Sequence, residues 1–127
     1  MNKILRVNMD SLKVTETSVD EKYIGLGGRG LTSEIIYNEV PASCHPLDKN
    51  NKLVFCPGLL AGTVAANSGR LSAGAKSPLT GTIKESNAGG TAAHKLARLG
   101  IAAIVIEGKP TGDTTYLLKI TLEGIAL

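Results

Sequence analysis

Apolar and polar positions alternate over Ile4 to Asn8 and again over Lys13 to Glu16, with Asp10-Ser11 between them. That spacing predicts a β-hairpin. Asp20-Glu21 opens a polar helical turn carrying Tyr23 and Ile24, which the glycines at 25, 27, 28 and 30 interrupt. From Leu31 to Val40 the pattern changes period: Leu31, Ile35, Ile36 and Val40 recur at helical spacing, and Pro41 stops the run. Residues 41–51 are dense in turn formers and read as a loop. Leu53 to Cys56 reads as a short buried strand ended by Pro57-Gly58. Two further strands are expected at about 70–75 and 81–86, joined by a Ser77-Pro78-Leu79-Thr80 turn in which proline suits the second position. A helix over 91–99 presents Ala92, Ala93, Leu96, Ala97 and Leu99, with Gly100 as its stop. Ala102 to Ile106 is a core strand, and Thr114 to Thr121 alternates as another after a Pro110-Thr111-Gly112-Asp113 turn. The last residues, LEGIAL, are apolar with no closing element expected. Strands and two helices without regular βαβ repetition predict an α+β domain on mostly antiparallel sheet.

Composition narrows this picture. A chain of 127 residues with 43% apolar content is one domain able to bury a core. Aromatics are only 3%, so the core must be aliphatic and rich in alanine and glycine, with closely approaching backbones. The net charge of +3 is mild, the cations are scattered, and only three tyrosines and one phenylalanine are available for stacking, which argues against nucleic acid as a partner. The N-terminus lacks the apolar core of a signal peptide, and no apolar run approaches a membrane span, so a soluble cytoplasmic protein without a membrane partner is expected. Cys44 and Cys56 form no C-x-x-C pair and read as two reduced thiols.

The stretch from Asn67 to Gly90 packs little core of its own. Its glycines allow a ligand to approach the backbone without a Cβ in the way, and its Ser, Thr and Asn side chains offer short polar groups suited to turns and phosphate oxygens. Ending at a helix start, it suits an anion held on backbone N–H groups. Two nucleotide motifs nearby are incomplete. Gly25 to Gly30 matches G-x-G-x-x-G, but Asp20 to Ile24 make a poor buried strand before it, so a loop for close packing is the better reading. Gly69 to Ser77 has one residue too many before Lys76 for a phosphate loop. Arg29 reads as an exposed or ion-paired arginine. Arg70, after Ser68-Gly69, is the cation best placed to aim a bidentate guanidinium at a phosphate, against the plain reading of a surface arginine in a strand. Asn87 and Gly89 precede the 91–99 helix, where asparagine is also an ordinary turn or cap residue. His94, beside Lys95 and Arg98, reads as exposed and inert, and His45 as an inert loop residue.

The SGR at 68–70, KSPLTG at 76–81 and SNAGG at 86–90 resemble the N-terminal domain of the aldehyde ferredoxin oxidoreductase family. RVN at 6–8, GGRGL at 27–31, PLD at 46–48 with KL at 52–53, and IVIEGK at 104–109 agree, so the resemblance runs from about Arg6 to Lys119. It implies two β-sheets with few helices, forming a base for a bis-pterin cofactor, tungstopterin or molybdopterin. On this resemblance residues 1–127 are one N-terminal cofactor-binding domain of a larger enzyme that oxidises small aldehydes to carboxylates. Electrons would pass through a 4Fe-4S cluster to ferredoxin. Arg70 would lie at the pterin, Gly89 would contact it through its backbone, and Asn87 would help bind a magnesium ion bridging the two pterin phosphates. Lys76 and Ser72 are secondary candidates.

This chain departs from the family's pattern in carrying no cluster cysteines and no substrate-pocket segment, so the remaining domains of the parent enzyme are its implied partners. Alone it is expected to be catalytically silent and to hold neither iron nor tungsten. A homo-oligomer is compatible with the sequence but not required by it. Without the resemblance, the residues support two other readings: a stand-alone anion- or nucleotide-binding module, and a non-catalytic subunit of a separately encoded enzyme.

Overall fold

The computed structural model describes residues 2–127. Its centre is a six-stranded sheet in the order β2-β1-β6-β3-β4-β5, with β1 at Lys3–Asn8, β2 at Lys13–Ser18, β3 at Lys52–Pro57, β4 at Arg70–Lys76, β5 at Ile83–Gly89 and β6 at Ile101–Glu107. Four of its five ladders are antiparallel, and β1 with β6 is the parallel one. A small second sheet pairs β7 (Lys119–Ile120) with β8 (Ile125–Ala126). With two α-helices, α1 (Gly28–Glu39) and α2 (Ala92–Arg98), the domain is α+β. No helix among the described residues is long and apolar enough to cross a membrane.

Each face of the large sheet carries its own apolar core. Ile4, Val54, Cys56, Ala103 and Val105 point to one side and are covered by Leu31, Ile35 and Ile36 of α1 and by Tyr23 from a 3-10 turn at Glu21–Tyr23. Leu5, Val7, Ile101 and Ile104 point to the other, beneath Leu96 and Leu99 of α2 and Ile120 and Ile125 of the small sheet. The strand pattern alone would put Ile101 and Ala103 on one face. A register shift between Lys3 and Ile4 opposite β6 reverses this, so Ala102 and Ala103 both reach the α1 core.

Helix α1 starts at Gly28, three residues before the apolar repeat begins. The glycines at 28 and 30 do not interrupt the chain here; they open the helix. A Cβ on Gly27 would lie 2.6 Å from the Leu59 backbone nitrogen, so the run permits the 58–60 loop to cross the helix start. A 3-10 turn, not a strand, precedes it, which removes the dinucleotide-site reading. Along α1 the approach to β4 is equally close, since a Cβ on Gly74 would sit 2.9 Å from Thr32 Cβ.

Two expectations fail at the C-terminus. Residues 114–118 join no ladder, and only Lys119–Ile120 of the expected 114–121 strand is paired. Leu118, outside any ladder, packs with the β7 residue Ile120 on the α2-side core, so its alternation is satisfied by side-chain packing without strand hydrogen bonds of its own. The final apolar residues do close into an element, because Ile125 and Leu127 cover that same core.

Lys76, a secondary ligand candidate from the sequence, is buried at the far end of β4 from Arg70, with its ammonium already engaged. Its Nζ donates to the carbonyls of Ala42 and Cys44 (2.7 Å to the latter), while Asn51 brackets its backbone: Lys76 N–H donates to Asn51 Oδ1 at 3.1 Å, and its carbonyl accepts from Nδ2 at 3.0 Å. The 41–45 loop is thereby pinned to the sheet. Lys76→Met should keep the stem's packing, release that loop, and lower the unfolding free energy by about 2 kcal/mol in denaturant titrations.

Candidate functional site

One end of the sheet gathers the C-terminus of β3, the start of β4, the end of β5 and the N-terminus of α1. The backbone closes it: Gly58 N–H donates to the Arg70 carbonyl at 2.8 Å and Gly90 N–H to the Gly69 carbonyl at 3.0 Å. The β4–β5 hairpin turns through Pro78 to Gly81. Ser77 N–H donates to Thr82 O, Gly81 N–H donates to Ser77 O, and Gly81 has φ of +68°. The turn is thus one residue longer than expected, and β5 runs on through Gly89.

That register decides which side chains meet. Arg70 stands opposite Gly89 and Ser72 opposite Asn87. Residues two apart on a strand, and residues directly opposite across a ladder, share a face. Arg70, Ser72, Asn87 and Gly89 therefore lie on one side of the sheet, the side that α1 covers. Arg70 Nη1 is the atom nearest to where a Gly89 Cβ would be, at 3.0 Å, so the guanidinium lies over a bare stretch of backbone. It has no ion-pair partner among the described residues. Arg29, by contrast, has Glu85 at 3.6 Å.

Asn87 is exposed, and its Oδ1 accepts a hydrogen bond from the buried Ser72 hydroxyl at 2.7 Å. Ser72 in turn backs onto the helix start, where a Cβ on Gly28 would come within 3.3 Å of its Oγ. One lone pair of the Asn87 amide oxygen is used and the other is left for a hard cation.

Arg70 and Gly89 line an open cleft of about 540 Å³ together with Asn67, Gly69, Gly90 and His94. Asn87 is not part of that lining; it sits one register pair farther along the hairpin. His94 differs from its expected exposed setting. It is half-buried, and its Nδ1 accepts the Gly62 N–H at 2.9 Å. No local sequence signal foretells this, because the Gly62 loop that holds it is remote in sequence. His45 serves only a local turn, its Nδ1 accepting from Leu47 N–H.

The donor set suits a phosphate-bearing group with a hard cation: a guanidinium without a carboxylate, unobstructed glycine backbone and an oriented amide oxygen. It does not suit a cluster or transition-metal site, since no group of three or more His, Cys, Asp or Glu among the described residues is placed to hold a metal. Both cysteines are free; Cys56 is fully buried, and burial pushes its thiol well above the ordinary range.

Comparison with known proteins gives a consistent picture. The family described as "Aldehyde ferredoxin oxidoreductase, N-terminal domain" matches residues 4–127. The tungsten-containing aldehyde ferredoxin oxidoreductase of Pyrococcus furiosus is 38% identical over 119 residues, covering 92% of this chain and 20% of the relative. The Pyrococcus abyssi protein of the same name is 39% identical over 109 residues, covering 84% of this chain and 18% of the relative. Among solved structures, the "active site complex BamBC of Benzoyl Coenzyme A reductase in complex with 1,5 Dienoyl-CoA" matches with a TM-score of 0.81 at 29% identity, over 87% of this chain and 17% of that one. The chain thus spans about a fifth of the length of the curated relatives it matches.

Proposed function

The chain belongs to the aldehyde ferredoxin oxidoreductase N-terminal domain family, and from that premise we propose that residues 1–127 are one wall of a cradle for a bis-pterin tungsten or molybdenum cofactor in a larger oxidoreductase. The observation that carries the reading is Arg70, unpaired and lying over the Cβ-less backbone of Gly89 in an open cleft. Arg70 holds a phosphate or pterin oxygen through its planar fork. Gly89 admits the ligand to its backbone. Ser72 orients the Asn87 amide, whose second lone pair would be available to hold a magnesium ion accompanying the cofactor's phosphates.

When bound, such a cofactor supplies the two-electron oxidation of an aldehyde to a carboxylate. These residues bind and orient it; they abstract no proton from the substrate and ligate no cluster. A 4Fe-4S cluster typically takes four thiolates, and this chain has two cysteines. Its ligands, the aldehyde pocket and the ferredoxin contact therefore belong to other segments of the parent enzyme. The likeness to BamBC, solved in complex with 1,5 Dienoyl-CoA, supports a second reading, in which the parent acts on a CoA thioester above the same cradle.

Bound pterin tests the cradle without relying on turnover. In the complete natural protein, pterin released by oxidation and measured by fluorescence should fall about tenfold or more on Arg70→Ala, the scale of losing a charge-assisted bidentate contact. Pterin retained at the parent level would sink the assignment. Assaying the purified protein with aldehydes and with dienoyl-CoA separates the two readings of the substrate.

A further inference from the structure

We propose that Arg29 is a second phosphate-binding arginine of the cradle, carried on the first turn of α1 and reaching the anion that accompanies a cation at Asn87. The class of ligand rests on the cradle reading above; the placement of Arg29 rests on contacts within this chain. The GGRGL run at 27–31 opens α1, and its glycines at 27 and 28 serve close packing. That use leaves the arginine between them and Gly30 without a role.

Contacts around it fix where Arg29 stands. A Cβ on Gly28, the residue before it, would lie 3.3 Å from Ser72 Oγ. That hydroxyl donates to Asn87 Oδ1 at 2.7 Å. Arg29 Nη1 itself lies 3.6 Å from Glu85 Oε1. The arginine stem therefore leaves the helix beside the Ser72–Asn87 pair of the β4–β5 ladder, and its head rests at Glu85, the neighbouring β5 residue on that face. Glu85 and Asn87 are two apart on the strand, so both face α1 with about 7 Å between their backbone positions.

The guanidinium is held loosely at Glu85. A separation of 3.6 Å is longer than a hydrogen bond, and the Arg29 side chain is 75% exposed. Lys84 Nζ lies 3.9 Å from Glu85 Oε2, so the carboxylate keeps a cation when Arg29 leaves. Exposed ion pairs are weak, whereas a guanidinium grips a phosphate through two parallel charge-assisted bonds. An anion arriving at Asn87 therefore takes Arg29 from Glu85. Along this face Gly89, over which Arg70 lies, is two residues beyond Asn87, and Glu85, where Arg29 lies, is two residues before it. A cation on the Asn87 amide oxygen would have one arginine available on each flank, which suits a cation bridging two phosphates, each with its own guanidinium.

Substitutions on both sides of the ion pair separate ligand binding from support of the fold. They are made in the complete natural protein, with bound pterin measured by fluorescence after oxidation and the melting temperature recorded beside it. Arg29→Ala should lower bound pterin about tenfold at an unchanged melting temperature. Arg29→Lys, which keeps the charge without the planar fork, should lose about threefold. Glu85→Gln should retain at least the parental amount, because it removes only the competitor for the guanidinium. If the ion pair itself were what mattered, Arg29→Ala and Glu85→Gln would lose pterin alike, so a loss of more than about threefold in Glu85→Gln overturns the proposal. Full pterin in Arg29→Ala beside depleted Arg70→Ala also overturns it, while leaving the cradle standing. Full pterin in Arg70→Ala overturns the cradle, and this proposal with it.

Discussion

Replacing Glu39 by alanine should lower the unfolding free energy by about 3 kcal/mol, the scale seen when one partner of a half-buried charge network is removed. At the C-terminal end of α1, away from the candidate site, Arg6 donates to Glu39 through both terminal nitrogens at 2.8 and 2.7 Å. Lys52 Nζ bridges Glu39 at 2.9 Å and Glu107 at 2.5 Å, with Tyr23 Oη 3.4 Å from Glu39. These groups tie β1, β3 and β6 to the helix that covers the first core. Glu39→Ala leaves two cations crowded around one remaining carboxylate.

The same network sets a pH dependence. Burial pulls the Glu39 carboxyl upward, but hydrogen bonds and charge from Arg6 and Lys52 outweigh it and hold the group at about 2, below its ordinary 4.5. A depressed carboxylate contributes stability that is fully present above about 4.5 and lost as pH falls toward about 2. After allowance for solvent screening, that contribution is about 2 kcal/mol. Tyr23 acts in the opposite direction. Burial, then the charge and hydrogen bond of Glu39, raise its phenol to about 12, so its contribution is present below about 10 and lost as pH rises through 12. Urea titrations across pH 2 to 6 check the acid limb. A Glu39→Ala variant within about 0.5 kcal/mol of the parent, the range of ordinary surface changes, would mean that the network is replaceable by water.

Much of this architecture was legible because local patterns and tertiary burial agreed. Leu31, Ile35, Ile36 and Val40 are spaced as a helix, and all four are buried against the sheet. Leu53 to Cys56 and Ala102 to Ile106 read as core strands and are central ones. The 114–121 segment alternates as a strand does, yet only Lys119–Ile120 joins a ladder; for Leu118, packing on a sheet face satisfies the same alternation, and sequence alone does not separate the two. The glycines at 27, 28 and 74 were legible as permission for close approach but not as to what approaches, since Leu59 and Thr32 come from elsewhere in the chain. Lys76 shows the limit most plainly. It lies within the KSPLTG motif beside the candidate ligand residues, and only the three-dimensional path of the 41–45 loop shows that its ammonium is used there. His94 shows the same limit in the other direction, because nothing near it in sequence reveals Gly62 as its partner.

Gly89→Val should remove most of the bound pterin from the natural protein while leaving its fold at least as stable. Gly89 ends the edge strand β5 without a positive φ, and valine suits such backbone better than glycine does. The atom nearest to the new Cβ is Arg70 Nη1, at 3.0 Å, and Arg70 Cδ follows at 4.0 Å. Both belong to a flexible exposed side chain, so the clash is relieved by swinging the guanidinium aside and not by moving the sheet. Stability should therefore stay within about 0.5 kcal/mol of the parent or rise, whereas pterin content should fall about tenfold or more. Comparison with Arg70→Ala identifies the route. If valine acts only by displacing the guanidinium, the double variant loses no more pterin than Arg70→Ala alone; if it also blocks the ligand from the Gly89 backbone, the losses multiply. Because the β4–β5 register sets Gly89 directly opposite Arg70, both routes converge on one spot of the rim. A Gly89→Val protein of parental stability that keeps its full pterin would show that the ligand lies elsewhere, and the Arg70–Gly89 pairing would then be only a strand end.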